Sequence, residues 1–364
     1  MAGPRRSFCA ALAALAVAAA GGCSAPPPRE TAPPPSAGTG TGPAQASASA
    51  RADPAPAAQP RPVLTQSASD IRRTIESLRR VDDLPLYEMT FHGSYDRRAP
   101  LDERLLSAQA GDWACSLFAL PASADGGPAL FGRNFDWDDH PAMIVHADPP
   151  DGHASLSLVD LYYVLGDAGA PDTADPLTRR RMAHAVLTPF DGVNDRGLAV
   201  GMAQVPDGEL PARRAGRPAV GSVRIMRIML DEAATVDEAL EIMRGHDIDF
   251  SGGPQLHYMI ADATGRSVVV EFARGRLNVI EERALTNFAM TGTGPRRRMA
   301  DTRYRTLVSG MPGVRDGEDA MALLARVAQG HTRWSVVYDL RDATARVVTG
   351  RRWERVHTVP LVRR

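Results

Sequence analysis

The chain has 364 residues, 44% of them hydrophobic, which is enough for one large domain or two small ones with a sizeable core. Its 42 basic and 43 acidic side chains nearly cancel, whereas a general nucleic-acid binder would be clearly basic. The sequence contains no lysine, so Schiff-base lysines, a P-loop lysine and Ser–Lys dyads are excluded. Its three cysteines, Cys9, Cys23 and Cys115, are too few for a Cys-rich zinc site or a disulfide framework.

Residues 1–22 have the layout of a bacterial export signal, with Arg5 and Arg6 ahead of an apolar run too short to span a bilayer. Small residues precede Cys23, which resembles the lipid-modified cysteine of a bacterial lipoprotein, although Ala20 stands where such sites usually carry leucine. An ordinary secretory signal cut nearby is the alternative, and the two arginines also fit a twin-arginine signal. We expect an exported protein that a lipid anchor holds on the extracytoplasmic side of a membrane.

Residues 23–66 are rich in proline, alanine, serine, threonine and glycine. Such a segment has too little bulky apolar surface to offset the entropy of ordering it, so we predict a disordered tether. A tether of this kind would let a lipid-anchored protein stand off the membrane. The folded part is predicted to begin at residue 67.

Helices are predicted from apolar residues three or four positions apart, and strands from short apolar or β-branched runs. In chain order, the sequence predicts a helix (69–80), an extended segment (84–95), a polar irregular stretch (97–112), a buried strand (113–120), a turn (121–128), a strand from 129, two helices (218–234 and 235–245), a hairpin (256–273), a helix (317–328) and a second hairpin (334–348). A capping box at Thr235 and Glu238 marks the start of one helix, and Gly245 marks its end. Strands followed by helices and again by strands indicate an α+β fold rather than repeating βαβ units.

Cys115 is the one cysteine of the predicted folded part and stands in a short apolar run. Taken alone, such a residue is most often a small buried apolar side chain. Seventeen residues later the sequence reads Gly-Arg-Asn-Phe-Asp-Trp, at positions 132–137. A strand that begins at cysteine, a turn and a second strand with this ending resemble the choloylglycine hydrolase and linear amide C–N hydrolase group, whose members are N-terminal nucleophile hydrolases.

Further pieces of this resemblance follow in the same order. Residues 191–200 resemble the group's Asn-Glu-x-Gly-Leu turn and strand, residues 257–271 its central hairpin, and residues 285–287 its Leu-Thr-Asn element. The resemblance spans roughly residues 76–350. The long segment ahead of Cys115 is most similar to the branch that contains acid ceramidase, N-acylethanolamine acid amidase and isopenicillin N acyltransferase-like proteins.

The resemblance implies a four-layer αββα sandwich of two antiparallel sheets, with residues 67–114 as a pro-segment and residues 115–364 as the catalytic domain. It also implies self-cleavage between Ala114 and Cys115, after which the pro-segment stays docked as a non-covalent subunit. The α-amino group released at Cys115, with an ordinary pKa of about 8, can then act as a general base beside its own thiol. The implied substrate is a small linear N-acyl amide cleaved through a thioester, and the implied chemistry uses no metal or organic cofactor.

The expected catalytic residues surround this thiol. The positive charge of Arg133 would lower the pKa of Cys115, although a plain salt bridge between Arg133 and Asp136 is the alternative interpretation. Asp136 would orient the α-amine. Asn287 would donate its amide N–H to the tetrahedral oxyanion or hold the substrate amide. Arg297, chosen from a run of three arginines, would support Cys115 electrostatically.

Some features stay open at this point. Gln204 stands where bile salt hydrolases carry an oxyanion-hole asparagine and could donate the same hydrogen bond, whereas the ceramidase branch uses a glutamate where Val205 stands. An acyltransferase with an amine acceptor is one alternative function. A non-catalytic lipoprotein that binds an acylated ligand is another. A third is a papain-like thiol hydrolase, in which one of the nine histidines would act on Cys115.

Overall fold

The computed structural model describes residues 63–99, 114–124, 126–166, 169–206, 208–251 and 253–363. The predicted export signal, Cys23, most of the tether and most of the polar stretch before Cys115 lie outside these ranges. The described residues all belong to one unit, Gln59–Arg364. Within them, no helix combines the length and the hydropathy that crossing a membrane would require.

In the described residues, runs of strands are separated by helices. The strands are β1 (Leu64–Thr65), β2 (Arg79–Asp82), β3 (Leu86–Thr90), β4 (Ser94–Tyr95), β5 (Ala114–Leu120), β6 (Leu130–Asp136), β7 (Ala142–Ala147), β8 (Ser155–Asp160), β9 (Asp191–Asn194), β10 (Ala199–Gln204), β11 (Ala219–Gly221), β12 (Asp247–Asp249), β13 (Leu256–Ala261), β14 (Ser267–Ala273), β15 (Arg276–Glu281), β16 (Ala284–Leu285), β17 (Thr332–Asp339), β18 (Thr344–Thr349) and β19 (His357–Pro360). The α-helices are α1 (Ala68–Ser77), α2 (Leu161–Leu165), α3 (Pro176–Met182), α4 (Arg224–Glu232), α5 (Val236–Gly245), α6 (Pro295–Arg298), α7 (Thr302–Gly310) and α8 (Gly317–Val327), and 3-10 turns occupy Ala183–Leu187 and Met311–Gly313.

Two large sheets carry the fold. One has nine strands in the order β15-β14-β13-β10-β9-β8-β7-β3-β2, and the other has six in the order β16-β5-β6-β17-β18-β19. The six-stranded sheet is antiparallel throughout. The nine-stranded sheet departs from the expected antiparallel pattern at one place, where β3 runs parallel to β7. This pairing inserts residues of the predicted pro-segment into the main sheet.

The two sheets pack face to face, and helices cover their outer faces. Helices α4 and α5 lie on the nine-stranded sheet, and α7 and α8 lie on the six-stranded sheet. The inner layer is close-packed: a Cβ added at Gly201 of β10 would lie 2.7 Å from the Leu117 side chain of β5. The predicted four-layer αββα sandwich is therefore confirmed.

Most of the predicted elements are present, with shifted ends. Helix α1 begins after Ser67, which forms a capping box with Asp70. The two-residue strand β1 lies before residue 67, the predicted start of the folded part. Both predicted hairpins form, as β13–β14 and β17–β18. The single helix predicted over 218–234 is instead a short strand and a helix, because β11 pairs with β12 before α4 begins.

Candidate active site

The β5–β6 ribbon positions Cys115 between the two sheets. Cys115 pairs with Phe135, and Leu117, two residues further on, pairs with Arg133. Because side chains alternate along a strand, the Cys115 thiol and the Arg133 guanidinium lie on the same, inner face. Asp136, three residues from Arg133, lies on the opposite face. This alternation explains why the plain Arg133–Asp136 salt bridge does not form.

Arg133 contacts the nucleophile candidate directly. Its Nη2 lies 3.6 Å from the Sγ of Cys115 and donates to the carbonyl of Met202 at 2.9 Å. The guanidinium is fully buried and packs over the rings of Phe135 and Trp334, at 4.8 and 5.7 Å from their centroids. The structure thus brings Arg133 and Cys115 together, as the sequence analysis expects.

Asp191 is the carboxylate that balances this buried cation, and the sequence analysis did not single it out. Its Oδ2 lies 2.5 Å from Arg133 Nη1. The indole N–H of Trp334 and the hydroxyl of Tyr338 also donate to Asp191, at 3.1 and 2.5 Å. A fully buried arginine needs such a partner. Asp191 directly follows Phe190 at the end of a largely apolar stretch, and an acidic residue in that position was the signal in the sequence that could have identified it.

Asn287 reaches the backbone nitrogen of Cys115. Its Oδ1 accepts the Cys115 N–H at 2.6 Å, and its Nδ2 donates to the carbonyl of Gln204 at 2.7 Å. The expected role of Asn287 is to donate its amide N–H to the oxyanion or to hold the substrate amide; in the intact chain its oxygen accepts from the nitrogen that cleavage would free. The contact between Gln204 and Asn287 is thus made by the carbonyl of Gln204.

The arginine that contacts Cys115 from the helical layer is Arg303, not the expected Arg297. Arg303 Nη1 donates to the Cys115 carbonyl at 2.7 Å and to the Ser116 hydroxyl at 3.2 Å, and Nη2 donates to Asn287 Oδ1 at 3.1 Å. Arg297 is exposed on the four-residue helix α6. The chain turns after α6, and α7 carries Arg303 over the start of β5.

Asp136 lies beside Cys115 in the neighbouring strand. It pairs with Ala114, the residue whose carbonyl the expected cleavage would attack. Its carboxylate accepts hydrogen bonds from Gln329 at 2.8 Å and from Thr332 at 2.5 Å, and lies 3.7 Å from Arg303. Burial raises the pKa of Asp136, and these three partners oppose the increase.

Burial also has the largest effect on the pKa of the Cys115 thiol. It raises the pKa of Cys115 above its ordinary value, and the negative charge of Asp136 adds to the increase. Arg133 and Arg303 act in the opposite direction, as the sequence analysis predicted for Arg133, but their effect is smaller than that of burial. In the uncleaved chain the thiol therefore keeps its proton near neutral pH.

Glu271 anchors the loop that follows Asn287. Its two carboxylate oxygens accept the backbone N–H groups of Met290 and Thr291 at 2.8 and 2.9 Å, and His257 Nδ1 lies 3.3 Å away. Burial alone would raise the pKa of Glu271, but these hydrogen bonds lower it to about 2. The ionised carboxylate therefore fixes the path of the loop near the site. Within the described ranges, no group of three or more His, Cys, Asp and Glu side chains could hold a metal ion.

Comparisons with known proteins identify a matching family model. The model of the family described as linear amide C–N hydrolases, choloylglycine hydrolase family, matches residues 119–290. This match begins four residues after Cys115 and includes Arg133, Asp136 and Asn287. No curated protein matches the sequence.

Several solved structures are similar to the chain at low identity. One is a mutant conjugated bile acid hydrolase from Clostridium perfringens, with 16% identity over 68% of this chain and 92% of that chain and a TM-score of 0.49. A penicillin V acylase from Agrobacterium tumefaciens has 16% identity over 65% and 83%, with a TM-score of 0.45. A Caenorhabditis elegans N-acylethanolamine-hydrolyzing acid amidase ortholog has 16% identity over 62% and 93%, with a TM-score of 0.40.

The family match indicates a hydrolase that acts on linear amides. Residues 119–290 of the chain are similar to the choloylglycine hydrolase family of linear amide C–N hydrolases.

Proposed function

We propose that the protein is a self-processing amidohydrolase in which Cys115 is the nucleophile and a small N-acyl amide is the substrate. The observation that carries this proposal is the set of contacts around one residue. The nitrogen of Cys115 is held by Asn287, its thiol by Arg133 and its carbonyl by Arg303. A buried structural cysteine has no need of three polar partners that fix its nitrogen, sulfur and carbonyl separately.

Self-processing begins with attack of the Cys115 sulfur on the Ala114 carbonyl carbon. The C–N bond of the peptide breaks, the acyl group moves to sulfur as a thioester, and the thiol proton ends on the freed nitrogen. Water then hydrolyses the thioester, which leaves a carboxylate at Ala114 and regenerates the thiol. Asn287 Oδ1 already lies 2.6 Å from the nitrogen that becomes the amine.

Substrate hydrolysis uses the same atoms. The free α-amine of Cys115 accepts the thiol proton, and the thiolate attacks the amide carbonyl. The amine product leaves with that proton as the thioester forms. Water, deprotonated by the α-amine, releases the carboxylic acid. Asp136 and Asn287 orient the α-amine, and Arg133 and Arg303 stabilise the thiolate.

We also propose that the fragment ahead of Cys115 stays with the enzyme after cleavage. Strand β3 is hydrogen-bonded to β7 inside the nine-stranded sheet, and β2 continues that sheet. Arg97 is buried and pairs with Asp151, Asp231 and Glu232. If Cys23 is lipidated, the retained fragment would hold the enzyme at the membrane.

Hydrolysis of a chromogenic amide tests the proposed activity. We expect the wild type to release p-nitroaniline from N-octanoyl-p-nitroanilide, and Cys115→Ala to be slower by at least about a thousandfold. Exposed Asp139 gives the control variant Asp139→Asn, which should match the wild type. An octanoyl group should be found by mass spectrometry on the chain that begins at Cys115. Activity retained in Cys115→Ala would refute the proposal.

A further inference from the structure

A pair of adjoining cavities lies on the helix-covered face of the nine-stranded sheet, apart from the Cys115 site. Their volumes are about 300 and 410 Å³. The segment 210–217, the strand β12 with the residues that follow it, and the β14–β15 hairpin form the walls. Arg213, Arg217 and Asp247 line both cavities, so the two are neighbours that share a wall.

The walls carry an excess of positive charge. Five arginines line the two cavities against two aspartates, and these residues are Arg213, Arg214, Arg217, Arg244, Arg276, Asp247 and Asp249. Both aspartates are already engaged, Asp247 with the backbone N–H of Arg214 and Asp249 with Arg213 at 3.5 Å. In the part of the chain that the structure describes, no carboxylate is paired with the guanidinium groups of Arg214, Arg217 or Arg276.

The floor of the cavities is apolar. Phe272 and Leu277 are cross-strand partners in the β14–β15 hairpin, and Met243 of α5 lines the same cavity. Ile248 is common to both cavities, and Phe250 packs edge-on against Phe272 with centroids 5.6 Å apart. Such a floor binds a hydrocarbon chain, and guanidinium groups at its rim bind a carboxylate or a phosphate in a bidentate manner.

We propose that this pair of cavities is a binding site for an amphiphilic anion, a negatively charged head group on an apolar chain. The charge excess selects the head group, and the combined apolar floor selects the chain. Volumes of this size lie at the small end of those found for ligand sites. The site shares no side chain with the Cys115 centre, so it goes beyond the proposed hydrolysis and does not depend on it.

Calorimetric titration of the full-length Cys115→Ala protein tests the proposal, because binding is measured without turnover. The probes are octyl phosphate, 1-octanol and inorganic phosphate. We expect octyl phosphate to bind at least about tenfold more tightly than either of the others, since they supply only the chain or only the charge. The double variant Arg217→Gln/Arg276→Gln should lose at least about tenfold of the octyl phosphate affinity.

Exposed Arg341, in the turn between β17 and β18, provides the matched control Arg341→Gln, which should bind as the parent does. Equal affinity for 1-octanol and octyl phosphate, or unchanged affinity in the double variant with an unchanged urea midpoint, would overturn the proposal. Sedimentation with phosphatidylglycerol vesicles separates two sources of the anion. If vesicle binding is also lost in the double variant, the head group belongs to a bilayer; if it is unaffected, the ligand is a free amphiphile.

Discussion

At Cys115, three polar atoms of one residue meet three different side chains. The backbone N–H donates to Asn287, the thiol lies against Arg133, and the carbonyl accepts from Arg303. Burial of the thiol opposes its ionisation, and the two arginines favour it. Cleavage of the preceding peptide bond would add an amine beside the thiol, so the same residue would then carry both the nucleophile and its base.

Asp191 is expected to position Arg133, because it is the buried carboxylate that pairs with it. Asp191→Asn leaves a buried guanidinium without its counter-charge, which typically costs about 3–5 kcal/mol. We therefore expect a lower urea midpoint and slower self-cleavage. Urea unfolding, followed by tryptophan fluorescence, measures the first effect, and intact mass against time measures the second.

Asp139→Asn is the control for that experiment, since Asp139 is an exposed carboxylate three residues after Asp136. Its effect on the free energy of unfolding should stay within about 0.5 kcal/mol. An Asp191→Asn protein with the stability and the cleavage rate of the wild type would show that Asp191 does not position Arg133.

Glu271 gives a pH-dependent prediction. Its pKa of about 2 in the folded state lies below the ordinary value of about 4.3. Its ionised form therefore stabilises the fold above about pH 4.3, and this contribution disappears as the pH falls towards 2. At pH 6 we expect Glu271→Gln to lower the free energy of unfolding by about 1–3 kcal/mol, and the difference from the wild type to shrink at pH 3.

Urea unfolding at both pH values measures this difference, in the Cys115→Ala background so that the chain stays intact. Glu281→Gln is the control, because Glu281 forms a largely exposed pair with Arg266, the residue that precedes β14. Its effect should be about 0–1 kcal/mol. A Glu271→Gln deficit that does not change between pH 6 and pH 3 would contradict the assignment.

At the scale of elements, the segment ahead of Cys115 is joined to the rest of the molecule by a strand pairing and by an ionic cluster. Parallel pairing of β3 with β7 makes the segment part of the main sheet. Arg97, from the loop after β4, reaches Asp231 of α4 at 3.4 Å, and Asp231 also accepts from Tyr95 at 3.0 Å. Loss of this segment would expose an edge of β7 and remove one of the two arginines that pair with buried Asp231.

Arg97 is buried and its neighbour Arg98 is half-exposed, so the two should differ in how strongly they hold the segment ahead of Cys115 in place. Arg97→Gln removes a buried cation from three carboxylates and should destabilise the protein by about 3–5 kcal/mol. Arg98→Gln removes a half-exposed pair with Glu232 and should cost about 0–1 kcal/mol. For each variant, size-exclusion chromatography of the cleaved protein measures whether the segment is retained, and the urea midpoint measures stability. Equal losses of stability in Arg97→Gln and Arg98→Gln would contradict the role of Arg97.

At the scale of the whole molecule, the sequence predicted the features that depend on residues close together in the chain. The β5 and β6 strands, the two hairpins and the cap of α5 follow from local patterns and are present. The contacts that complete the site join residues far apart in the chain: Arg303 lies 188 positions after Cys115, and Asp191 lies 58 after Arg133. Nothing in the local pattern distinguishes Arg303 from Arg297, because the turn after α6 decides which arginine faces β5.

The central claim is that Cys115 cleaves the bond before it, and intact mass spectrometry tests it most directly. The purified wild type is compared with Cys115→Ala, each kept at neutral pH and after mild acidification. We predict two fragments from the wild type, divided between Ala114 and Cys115, and one uncut chain from the variant. A wild-type chain that stays uncut under both conditions, or a variant that is cut at the same bond, would contradict the account.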